Sequence, residues 1–221
     1  MNLTSKRDLT LDNLRIALQR LMLLSDWEDI SVQHIAHEAD VSIGTFYNYF
    51  DSKELALQDV RAILSDVIQR DLALLLKTQS DPSVQITYVI KYLYSLYDSQ
   101  ASWARYLYGG HQFSDRLDNG LSKILLPIIY AGLSEKSFTL SDITAGICFI
   151  ESGIFAMIKT NSATPLSFAQ AAALAAEFTL KVLGVEEGKI NTLVTLECPS
   201  TPIAELPISA LSLKELGNEY V

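Results

Sequence analysis

Apolar residues in this chain recur at helical spacing almost throughout, without the two-residue alternation of a half-buried strand. Leu11, Leu14, Ile16, Leu18, Leu21 and Leu24 mark a first amphipathic helix ending before Asp26. Ser31 and Ser42 are suitable N-caps for two short helices, the first carrying Val32, Ile35 and Ala36 and the second Phe46 and Phe50. Ser52 opens a long fourth helix with a stripe from Leu55 to Leu75, closed by Ser80-Asp81-Pro82. Further helices are predicted near 83–98, 101–108, 113–133, 141–160 and 167–183, with a kink at Pro127. The expected fold is therefore all-α. Three segments are expected: 1–52, 53–183, and a tail, 184–221. The tail's prolines forbid one continuous helix, while its apolar residues favour docking on the body, with a short helix near 209–217.

Composition narrows the class. Of 221 residues, 49% are hydrophobic and 19% charged, enough to fill a core and too apolar for a disordered chain. The most apolar stretch, 143–158, is interrupted by Glu151 and is shorter than a membrane span, so no membrane association is expected. Met1 to Lys6 shows no apolar leader, and the two cysteines have no metal-ligand spacing; a reduced, cytoplasmic chain is the expectation. The formal net charge is −9, and acids outnumber bases within residues 1–50, so bulk charge gives no indication of nucleic acid.

The chemistry is concentrated in residues 31–53. Two short helices joined by a tight turn from Glu38 to Val41 fit a helix-turn-helix, with Ile35, Val41, Phe46 and Phe50 as its small core. Phe46 and Phe50 form an inward i, i+4 pair, leaving Ile43, Tyr47 and Asn48 outward and Thr45 on the flank. Gly44 costs a short helix about 1 kcal/mol against alanine, which makes sense if its backbone must approach something closely, such as a phosphate. Lys53 places a cation in the first turn of a helix, against the macrodipole. A DNA backbone beside the helix start would account for both choices.

The run Val41-Ser42-Ile43-Gly44-Thr45-Phe46-Tyr47-Asn48-Tyr49-Phe50, followed by Ser52-Lys53-Glu54-Leu55, resembles the signature of the tetracycline-repressor (TetR) family; Ile35, Ala36 and Ala39 also match. The resemblance covers about the first quarter of the chain. It implies a three-helix DNA-binding head, a helical ligand-sensing body, and a homodimer built on the last two main helices, near 141–160 and 167–183. It further implies contacts to double-stranded operator DNA from Gln33, Ser42, Thr45, Tyr47, Tyr49 and Lys53, with Ile43, Gly44 and Asn48 added from the outward face. Tyr49, three residues after Phe46, suits core packing equally well. The family's usual glycine in the turn is replaced by Asp40. The implied function is a regulator, more often a repressor, released by a small and largely apolar or aromatic effector. The alternative is a helical binding module with weakened DNA contact, acting through a protein or ligand partner.

Dense aromatics from Tyr88 to Phe113 suit either a core or a cavity lining. Trp103, Tyr106, His111, Phe113 and Glu151 are the pocket candidates. Glu151, within an apolar helix, needs a partner if its helical phase buries it. His34 and His37 lie one turn apart with no third ligand spaced to join them, so a solvated or DNA-flanking face is favoured over a metal site. No nucleophile–base pair or phosphate loop is present, and neither enzymatic activity nor a cofactor is expected.

Overall fold

The computed structural model describes residues 6–25, 27–99, 122–163 and 165–199. Within them the chain is helical and contains no strand: α1 (Lys6–Leu24), α2 (Val32–Glu38), α3 (Ile43–Tyr47), α4 (Lys53–Leu76), α5 (Pro82–Ser99), α6 (Ser122–Ser134), α7 (Ile143–Thr160), α8 (Phe168–Val182) and α9 (Glu187–Val194). They fall into two compact units, with the boundary between Val67 and Ile68 inside α4. The helices expected at 101–108 and 209–217, and the first part of that at 113–133, lie outside the described residues.

The head is small and tightly specified. Ser31 caps α2 in a reciprocal box: its hydroxyl accepts the His34 N–H at 3.1 Å, and His34 Nδ1 accepts the Ser31 N–H at 3.3 Å. Helix α2 ends with Asp40 in the left-handed region, φ +54°. Asp40 N–H donates to His37 O and Val41 N–H to Ala36 O, the paired bonds of a Schellman turn. Leu14 and Leu18 of α1, Ile30, Ile35 and Ala36, Phe46 and Phe50, and Leu57 and Val60 of α4 form the buried core; Val41 is only half-buried. The Phe46 and Phe50 rings lie 5.7 Å apart. Lys6 and Arg7 are the first turn of α1, one turn earlier than the apolar stripe indicates.

The body is organised around α5. Ile86, Val89, Ile90, Tyr92, Leu93, Tyr94 and Leu96 are all buried, so most of the surface of α5 is covered, and it packs against α6, α7, α8 and α9. The Tyr92 hydroxyl donates to the buried Asp71 carboxylate at 2.7 Å. Burial, followed by this bond and the Asp71 charge, raises the Tyr92 phenol well above its ordinary value. The α6–α7 connection is held by side chains seated on glycines. Phe138 lies on Gly132 and Leu140 on Gly146, positions where a methyl group would collide with them. Thr139 N–H donates to Leu183 O at 2.8 Å, beside Gly184, whose φ of +71° closes α8.

The segment after Gly184 is not purely irregular. Glu186 caps α9 by accepting the Gly188 and Lys189 N–H groups, and Ile190 and Leu193 are buried against the body. Lys91 of α5 caps the other end, donating to the Val194 carbonyl at 2.8 Å and to that of Leu196.

Candidate nucleic-acid interface

Ser42 fixes the start of α3. Its hydroxyl accepts the Thr45 N–H at 3.0 Å and shares a second hydrogen bond with the Thr45 hydroxyl at 2.8 Å. With Phe46 buried beneath, the opposite face of this short helix is held open. Ser42, Ile43, Gly44, Tyr47 and Asn48 are exposed and Thr45 is half-buried, with Ile43 at 43% and Tyr47 at 52% exposure. Gln33 is exposed on α2.

Gly44 is informative because the fold does not require it. A Cβ added there would meet only Ser42 Oγ, at an ordinary 3.7 Å. Among the described residues no neighbour requires a glycine there, unlike Gly132 or Gly146, whose neighbours exclude a side chain.

Two candidates have partners that the sequence does not reveal. Lys53 Nζ donates to the backbone carbonyl of Ile30 at 2.6 Å, joining the first turn of α4 to the segment entering α2. The Tyr49 hydroxyl donates to Arg7 O at 3.1 Å, and the Arg7 guanidinium lies 6.0 Å from the centre of the Tyr49 ring, so Tyr49 ties α3 to the first turn of α1. Arg15 makes two hydrogen bonds to Asp59, at 2.6 and 2.9 Å; these bonds outweigh burial and raise its guanidinium pKa. Arg20 pairs with Glu38 at 3.2 Å.

Among the pocket candidates, Trp103, Tyr106, His111 and Phe113 lie outside the described residues. Glu151 is buried, 3% exposed, on α7. The Tyr94 hydroxyl is also buried, with no hydrogen-bond partner among the described residues, and burial pushes its phenol up to about 12. His34 and His37 are exposed, and the described residues contain no group of three or more metal-ligating side chains. Among them no helix is long and apolar enough to cross a membrane.

A capped helix pair with an open second helix, preceding an all-helical body, has the form of a helix-turn-helix. Residues 19–57 match the model for bacterial regulatory proteins of the tetR family. The head resembles that family over these residues, and the chain is similar in fold to several solved chains. RolR in complex with its ligand resorcinol is 20% identical, covering 88% of this chain and 97% of its own, with a TM-score of 0.70. A chain described as a tetR family transcription regulator from Shewanella sp. PV-4 is 14% identical, covering 79% and 97%, with a TM-score of 0.66. A transcriptional regulator of the family from Vibrio parahaemolyticus is 19% identical over 79% and 98%, with a TM-score of 0.55. No curated protein matches the chain significantly in sequence.

Proposed function

We propose that this chain, as a homodimer, binds operator duplex through the outer face of α3 and is released by a small, largely apolar or aromatic effector held in its body. The observation carrying this reading is Gly44: an exposed, unhindered glycine that costs the fold stability and serves no packing purpose inside it. A backbone that must come close to a phosphate or a groove wall supplies the purpose. Ser42, Thr45 and Tyr47 supply hydroxyls around it, Gln33, Ile43 and Asn48 flank it, Tyr49 ties the end of α3 to Arg7 of α1, and Lys53 braces α4 against the entry of α2.

The dimer is assigned to α7 and α8. Ala145, Phe149, Ser152, Ala156 and Thr160 are exposed at spacings that place them on one face of α7, with Phe149 at 69%; Phe178 of α8 is 49% exposed. Gly153 has no neighbour within 4 Å of where its Cβ would be. Gly146, Ala172 and Ala176, small residues suited to the same interface, are instead buried within the protomer. For the effector, RolR, similar in fold, binds resorcinol, a dihydroxybenzene, which supports an aromatic ligand here. The buried Glu151 and Tyr94 hydroxyl are polar groups suited to such a ligand, with Trp103, Tyr106, His111 and Phe113 as proposed lining.

The test is a gel-shift and footprinting series on DNA upstream of the protein's own coding sequence, with Gly44→Ala as the variant. The expected result is a sequence-selective complex that G44A weakens while raising the melting temperature, since alanine is worth about 1 kcal/mol more in a helix. No selective complex at low salt would favour the weakened-DNA module, a reading supported by the internal pairing of Arg15 and Arg20.

A further inference from the structure

Groove readers most often recognise guanine with Arg or Lys placed bidentately on O6 and N7. No arginine or lysine occurs between residues 21 and 52, which include all of α2 and α3. Of the flanking cations, Arg15 is engaged on Asp59, Arg20 on Glu38 and Lys53 on the Ile30 carbonyl, while Lys6 and Arg7 belong to the first turn of α1 and not to α3. The face that α3 presents is therefore built from an isoleucine, a glycine, hydroxyls and a carboxamide.

Each of these has a limited repertoire. Ile43 is exposed at the first helical position, and the apolar group that a major-groove edge offers it is the thymine methyl. The open space at Gly44 beside it admits that methyl without a clash. Asn48, exposed at the end of α3, carries the donor and acceptor pair that matches adenine N7 and N6. Ser42 and Thr45 are hydrogen-bonded to each other, so the pair has one hydroxyl proton left for an outside acceptor, suited to a single phosphate oxygen. His34 sits on α2, the helix that crosses the backbone in this motif, and its Nδ1 is occupied by the Ser31 N–H.

Resting on the operator-binding reading above, we infer that this head recognises half-sites through A·T pairs, with thymine methyl groups against Ile43 and an adenine edge against Asn48, and takes no contact from guanine.

Selection of the full-length chain from a randomised duplex pool, followed by base-analogue substitution in the selected site, tests this. Uracil in place of thymine under α3 is expected to weaken binding about fourfold, the effect of one lost buried methyl group. That discrimination should disappear in Ile43→Ala, a surface change that leaves the core untouched. Replacing adenine by 7-deazaadenine should weaken binding by roughly fivefold or more in the parent and little in Asn48→Ala. Replacing every guanine of the half-site by 7-deazaguanine should leave affinity within about twofold, since a guanine contact would be worth at least fivefold. A large loss with 7-deazaguanine overturns the inference and leaves operator binding standing. So does an invariant G·C pair under α3, read for instance by Asp40 on cytosine N4. Failure to enrich any site removes operator binding itself, and this inference with it.

Discussion

Lys53 Nζ lies 2.6 Å from the carbonyl oxygen of Ile30, twenty-three residues earlier in the chain. This bond gives a cation at an unfavourable end of a helix a reason to be there without DNA. It spans from the first turn of α4 to the residue before the Ser31 cap, and so fixes the entry of α2 against α4. Removing it should matter to the free protein. Lys53→Met is expected to lower the stability of the head by about 1–2 kcal/mol, because a charge-assisted bond is lost and a part-buried carbonyl is left unpaired. Thermal and urea denaturation in the absence of DNA measure this. If K53M melts like the parent and only the salt dependence of DNA binding changes, the lysine serves phosphate alone.

Asp40 occupies the one left-handed position of the helix-turn-helix. The backbone there is set by the Schellman bonds that close α2, so a side chain carries a conformational cost that glycine avoids. Asp40→Gly is expected to stabilise the chain by roughly 1 kcal/mol. It also removes a negative charge from the exposed turn, and operator affinity should rise. Asp40→Asn separates the two effects, since asparagine removes the charge and keeps a side chain that tolerates this conformation. An affinity gain in D40G that D40N fails to share would show that charge is not the cause.

The legible parts of this molecule are those set by local chemistry. Ser31 and Ser42 each cap a helix as expected, and Phe46 and Phe50 are inward as their spacing requires; Asp142 and Ser167, not singled out in the sequence, cap two more. Helix α9 is not anticipated, because the prolines of 184–221 dominate the reading although none precedes Pro199; Glu186 and the Ile190/Leu193 pair are the signals for it. Roles that depend on a distant backbone acceptor leave no mark in sequence. Ile30 O for Lys53, Arg7 O for Tyr49 and Val194 O for Lys91 are all carbonyls, present at every residue. The same holds for Gly132 and Gly146, whose need for glycine comes from Phe138 and Leu140 in the folded connection.

Asp81 joins two parts of the body: its carboxylate accepts the Ser83 N–H at 2.8 Å at the start of α5, and it pairs with Lys189 of α9 at 2.8 Å. Burial raises its pKa, but the Lys189 hydrogen bond, the Ser83 N–H and the Lys189 charge together outweigh burial and hold the carboxyl below its ordinary range. A depressed folded value means stability that is fully present above the unfolded pKa and is lost as pH falls through the folded one. Comparing the parent with Asp81→Asn by urea denaturation, the stability difference should be constant from pH 7 to roughly pH 4.5 and shrink below about pH 4, the unfolded carboxylate value. The ion pair is more than a third exposed and contributes only about 0.2–1 kcal/mol, and asparagine keeps the helix cap, so the difference should be of that size. A difference that widened on acidification would contradict the depressed value.

The pairing of the head's cations sets how the proposed operator binding should respond to salt. Each phosphate neutralised by a lysine or arginine releases condensed counterions and adds about −0.9 to the slope of log K against log salt. Among the described bases of the head, Arg15 is held bidentately by Asp59 and Arg20 by Glu38, and redirecting either would uncover a carboxylate on the same surface. Lys6 and Arg7 remain, with Lys53 as a third if it exchanges the Ile30 carbonyl for a phosphate. Two to three cations per protomer in a dimer give a slope of about −4 to −5, against about −10 for a strongly basic repressor. Fluorescence-anisotropy titrations at several salt concentrations measure it. Arg15→Gln should leave the slope unchanged while lowering stability through the stranded Asp59, and a parent slope near −10 would mean that these internal ion pairs open on DNA.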